Sequence, residues 1–110
     1  MMRIHLSVAA TGLLRSLLAR AGVSHNRILL IESRSTEWQS LTFVGERHEM
    51  CLRVPGSDAG EIVASLTSGL EDAEFSIPGQ IVADIGLAKP LRRESDGSIT
   101  IELEALTIAE

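Results

Sequence analysis

Apolar and polar residues alternate most clearly between Trp38 and Val54, in WQSLTFVGERHEMCLRV. Gln39, Leu41 and Phe43 share one side of an extended run, and Trp38, Ser40, Thr42 and Val44 share the other. Beyond Val44-Gly45-Glu46-Arg47, Met50, Leu52 and Val54 alternate with Glu49, Cys51 and Arg53. A period of two with β-branched and aromatic residues predicts two strands turning at 44–47, each sheltered on one side.

The rest of the chain divides around this pair. Ile4, Leu6 and Val8 alternate with Arg3, His5 and Ser7, predicting a first strand over 2–8. Leu13, Leu14, Leu17, Leu18 and Ala21 then fall on one stripe of a helix over 12–21, with Thr11 as its cap and Gly22 as its stop. Residues 27–34 are apolar on both sides, as in a strand covered on two faces, and 35–37 reads as a turn. Ala59, Ile62, Val63, Leu66 and Leu70 make a second stripe over 58–70, where Asp58 and Glu61 have capping-box spacing. A short strand over 73–77 leads to the turn pair Pro78-Gly79. In the strand over 80–87, Ile81, Ala83, Ile85 and Leu87 oppose Val82, Asp84 and Gly86. A polar connection precedes the last strand, 98–108, with Ile99, Ile101, Leu103 and Ala105 inward. There Leu106 and Ile108 fall on the side used by Glu102 and Glu104, which predicts a bulge or a strand end covered by something else.

This order, β-α-β-β-β-α-β-β-β, predicts an α+β fold: a mainly antiparallel sheet with two helices packed on one face, in a ferredoxin-like order. The alternative is a pair of βαβββ modules, because helix and strands recur at an offset of about half the chain. The 110 residues are expected to form one domain.

Composition narrows the function classes. One Trp, two Phe and no Tyr leave the core to aliphatic side chains and supply no stacking platform for single-stranded nucleic acid. Lys89, Arg92 and Arg93 form a small basic tip without neighbouring aromatics, so a nucleic-acid partner is not expected. Net charge is -5, an acidic balance split unevenly: residues 1–55 carry +3 and residues 56–110 carry -8. Such asymmetry can orient one subunit against another, but the basic residues form no run. No apolar stretch approaches the roughly 20 residues of a membrane span. A secretory signal at the N-terminus is disfavoured, since Gly12 and Arg15 interrupt the apolar stretch and the leucines already make a helical stripe. A lone cysteine, Cys51, excludes an intramolecular disulfide and suits a reducing, cytoplasmic setting.

Three residues stand out as candidates for ligand binding: His48, Cys51 and Asp84. His48 and Cys51 lie near Glu46 and Glu49, yet their odd spacing on a strand sends them to opposite faces, and no second cysteine supports a metal. His48 is therefore expected as a solvated histidine near a turn, and Cys51 as a half-buried thiol. A nucleophilic role for Cys51 needs a nearby base, with Arg53 on the same side favouring the thiolate. Asp84 sits in the apolar run IVADIGLA, where burial would raise its pKa; the alternation puts it on the wetter side, with Gly86 leaving room beside it. The segment 56–60 opens a helix and could face an anion, but Asp58 opposes that, and neither GxGxxG nor GxxxxGK[ST] is present. No catalytic set, metal set or cofactor motif can be assembled.

The expectation is a non-enzymatic α+β module. It forms a homodimer through sheet edges or an exposed sheet face and binds a small ligand in the seam. The pairs Leu106/Ile108 and Trp38/Val44 motivate it, since both lie on sides one helix layer leaves open. The alternative is a small dimeric enzyme using Asp84, His48 or Cys51 in a cleft.

Overall fold

A computed structural model describes residues 5–110. Helix α1 spans Val8–Ala21, β1 Leu29–Gln39, β2 Val44–Val54, α2 Ala59–Thr67, β3 Gln80–Leu87, β4 Arg92–Arg93 and β5 Ile99–Ala109. Single 3-10 turns at His25–Arg27 and Leu70–Asp72 lead out of the two helices. The strands form one five-stranded antiparallel sheet in the order β1-β2-β5-β3, with β4 continuing the β3 side of β5. The architecture is therefore α+β, an antiparallel sheet with two helices. The nine-element order predicted from the pattern becomes α-β-β-α-β-β-β among the described residues.

Local chemistry accounts for each departure. The predicted strand over 2–8 lies partly outside the described residues; of the rest, 5–7 carry no ladder and Val8 already begins α1. Ser7, not Thr11, caps this helix, its Oγ accepting from the Ala10 amide at 3.1 Å. Gly22 ends α1 in the left-handed region at φ 72°, as expected of a residue without Cβ.

The predicted turns at 35–37 and 44–47 do not exist. Residues 29–39 are one continuous strand, and the chain reverses at 40–43, where the Ser40 amide donates to the Phe43 carbonyl at 2.8 Å. The Ser40 hydroxyl accepts from the amides of Phe43 and Thr42, offering that backbone an alternative to the ladder. A bulge at Ile31 shifts the register between Leu30 and Glu32. The stretch 27–34 is apolar on both sides but not covered on both: β1 is an edge strand, and Leu29 and Ile31 are exposed.

Residues 73–77 make no ladder beyond an isolated bridge from Ile77 to Gln80 across the Pro78-Gly79 turn. The two-residue β4 falls within the stretch predicted as a polar connection. β2 and β5 pair without interruption from Gly45–Ile108 to Val54–Ile99. Leu106 and Ile108 thus truly occupy the outer face, and no bulge interrupts the β2–β5 ladder. The register shift falls in β3, between Val82 and Asp84. It turns Ile81 outward and Ile85 inward, where strict alternation put them together.

The core lies between the helices and the inner face of β2 and β5. Leu13 and Leu17 of α1 and Ile62, Val63 and Leu66 of α2 pack with Met50, Leu52, Val54, Ile99, Ile101 and Leu103. Each fully buried aliphatic side chain contributes on the order of 1.5–3 kcal/mol. Arg20 ties the helices together. It donates from Nε to the Leu66 carbonyl at 2.9 Å and from its guanidinium end to the Ser68 carbonyl, satisfying the C-terminal end of α2. Arg20→Met keeps the stem and removes these bonds. The expected cost is about 1–2 kcal/mol, read as a lower midpoint in urea unfolding with an unchanged slope. Asp58 does not cap α2 with its side chain; its carboxylate pairs with Arg27, which holds it below the usual aspartate range.

Candidate functional site

The structure distributes the three candidate residues rather than gathering them. Along β2 the even positions face the helices, so His48 lies in phase with Met50, Leu52 and Val54. It is fully buried, which corrects the expectation of a solvated histidine beside a turn. Its Nδ1 is 2.7 Å from Ser35 Oγ on β1, and its Nε2 is 2.8 Å from Thr107 Oγ1 on β5. A neutral imidazole donates from one nitrogen and accepts at the other, and hydroxyls can complement either tautomer. Leu13 and Leu17 close the seam from α1, with Met50, Ile85 and Ala105 around the ring, leaving no room for water. Burial pushes the His48 pKa below its ordinary value, partly opposed by the charge of Glu46. The arrangement is a satisfied polar bridge across three strands. It gives His48 no access to a substrate.

Cys51 faces the other side of the sheet. It lies between Glu32 and Glu102 in the cross-strand row and borders a shallow depression of about 200 Å³ with Glu49 and Lys89. Burial, then the neighbouring Glu102, pushes the thiol pKa up. Arg53 and Arg92 act the opposite way and do not prevail, so the thiolate that a nucleophile requires is disfavoured. The same surface carries an ion-pair network. Lys89 Nζ lies 3.7 Å and Arg92 Nη1 3.6 Å from Glu102, while Arg34 reaches Glu49 at 3.8 Å.

Asp84 is exposed on this outer face, beside Leu106, and does not line the depression at Cys51. No group of three or more His, Cys, Asp or Glu side chains suited to a metal occurs among the described residues.

A different concavity crosses the strand ends next to the hairpin turn. Glu37, Trp38 and Gln39 of β1, Val44, Gly45 and Glu46 of β2, Gln80 of β3 and Ala109 of β5 line a groove of about 520 Å³. On the outer face the final row runs Trp38, Gly45, Ile108, Ile81. Gly45 leaves a step in that row between two large apolar neighbours. A Cβ there would meet the Thr107 carbonyl oxygen at 1.9 Å, so the glycine is required by β5 and not by a turn.

Trp38 and Val44, expected on one face, lie on opposite faces because the reversal at 40–43 separates them. Toward the hairpin end of the sheet several large apolar side chains stand in solvent. Leu41 is 105% exposed, Val44 60%, Ile81 51% and Phe43 50%. The sequence signal for the position of His48 is its even phase with Met50, Leu52 and Val54.

The fold is similar to that of a virion protein. A chain from the virion of a native gene transfer agent particle matches with a TM-score of 0.62, over 96% of this chain and 99% of that one. The two are 13% identical in sequence, so the likeness is one of fold. No family model matches the chain, and no curated protein matches it in sequence.

Proposed function

We propose that this protein is a non-catalytic structural subunit that acts by associating with further copies of itself. The observation that carries this reading is the exposure of Leu41, Phe43, Val44 and Ile81 toward the hairpin end of the sheet, where Val44 lines the groove. Uncovered apolar surface of this kind marks a contact site in a folded chain. The likeness in fold to a component of a gene transfer agent virion supports a place in an assembly of many chains. A homodimer is the smallest such unit, and a small ligand in its seam would compete for the same groove.

The catalytic alternative needs His48, Cys51 or Asp84 in a shared cleft and finds no support in their positions. The free thiol at Cys51 suits a cytoplasmic site of synthesis. No helix among the described residues is long and apolar enough to cross a membrane.

Sedimentation velocity over a concentration series tests the proposal. The expected result is a species heavier than the 11.9 kDa chain, growing with concentration. A single boundary at the mass of one chain, up to hundreds of micromolar, rejects it.

A further inference from the structure

Resting on self-association, we propose that the tip of the β1–β2 hairpin of one copy seats in the strand-end groove of a second copy. The tip is apolar and does not fold back on its own chain: Leu41 is fully in solvent and Phe43 half so. The groove beside it is lined by Trp38, Val44, Gly45 and Ala109. It is an open groove of about 520 Å³.

Charge selects the occupant. Glu37 and Glu46 face each other directly across β1 and β2 at the rim of the groove. Like charges in that position repel. Among the described residues neither glutamate has an ion-pair partner. The groove therefore favours an occupant that brings an apolar knob and a cation together. The hairpin of this chain supplies both: Leu41 and Phe43 at the turn and, four residues beyond Phe43, the exposed Arg47, which also lacks an ion-pair partner among the described residues. A second copy meets each requirement with one element. A small apolar ligand supplies no cation, and an acidic partner is repelled.

Sedimentation equilibrium on the full chain tests this with Leu41→Asp, Arg47→Glu and Glu37→Arg, each checked for a folded circular dichroism spectrum. Each is expected to weaken self-association about tenfold or more, the effect of losing a central contact. An equimolar mixture of Arg47→Glu and Glu37→Arg is expected to recover it, because reversed charges again face opposite ones between copies. Folding damage in either variant cannot produce that recovery. If the parent chain associates but all three variants associate equally well, this docking is overturned while the structural-subunit reading stands. A mixture that associates no better than its components also overturns it. A parent chain that never associates removes both.

Discussion

Gly45→Ala is expected to lower stability by about 3 kcal/mol or more, as overpacking against a backbone atom does. The added methyl would sit 1.9 Å from the Thr107 carbonyl oxygen, which belongs to the main chain of β5 and has no rotamer to escape into. Relief requires β2 and β5 to part at the Gly45–Ile108 and Glu46–Thr107 pairs, loosening the longest uninterrupted ladder in the sheet. In a chain of this size the loss corresponds to a melting point lower by roughly 10–20 °C.

Gly60→Ala makes the control. Its nearest neighbour would be the end of Arg93 at 3.9 Å, and it lies within α2. There the change is expected to raise stability by about 0.5–1 kcal/mol through the better helix propensity of alanine. Thermal unfolding followed by circular dichroism reads both. A Gly45→Ala protein that melts with the parent would show that the β2–β5 contact is looser than described.

The second large effect concerns pH. His48 is fully buried and neutral between two hydroxyls, and burial depresses its pKa in the folded state. The unfolded chain binds a proton at this side chain near the ordinary value of 6.5, while the folded chain resists it. Between those two values the unfolded state holds more protons, so stability rises with pH. The contribution of His48 is thus full above its unfolded pKa, is lost as pH falls from about 6.5 toward the folded value, and levels off below it. Each unit of depression is worth about 1.4 kcal/mol.

His48→Gln can still bond to Ser35 and Thr107 but does not titrate. Its stability is expected to change less than the parent's between mildly acidic and neutral pH in urea unfolding. Identical slopes in the two proteins would remove His48 as the source. His48→Ala leaves both hydroxyls unpaired above a void and is expected to cost about 3 kcal/mol at neutral pH.

These two residues also show how far the pattern of the chain could be followed. Period two from Met50 to Val54 and from Ile99 to Ala105 names the inner face of the sheet, and the leucine stripe at 13 and 17 names the face of α1 that covers it. Those assignments depend only on neighbours in sequence and on the solvent preference of each side chain. Continuing the same phase two residues back from Met50 places His48 inside. The Val44-Gly45 pair hid this by resembling a turn, when the glycine answers to Thr107, distant in the chain. Likewise the bulges at Ile31 and between Val82 and Asp84 break an alternation that reads as continuous, and each flips the residues beyond it.

What the order of residues determined by itself is the inventory: two amphipathic helices, extended runs rich in Ile, Val and Leu, and an aliphatic core. Helical stripes and strand alternation are local, since each follows from the backbone period and the cost of burying polar groups. Which strand lies at the edge, which hydroxyls meet His48, and that Trp38, Gly45, Gln80 and Ala109 border one groove were decided only by tertiary structure. Those residues come from four strands, brought together by ladder registers whose bulges have no signature in a single run of sequence.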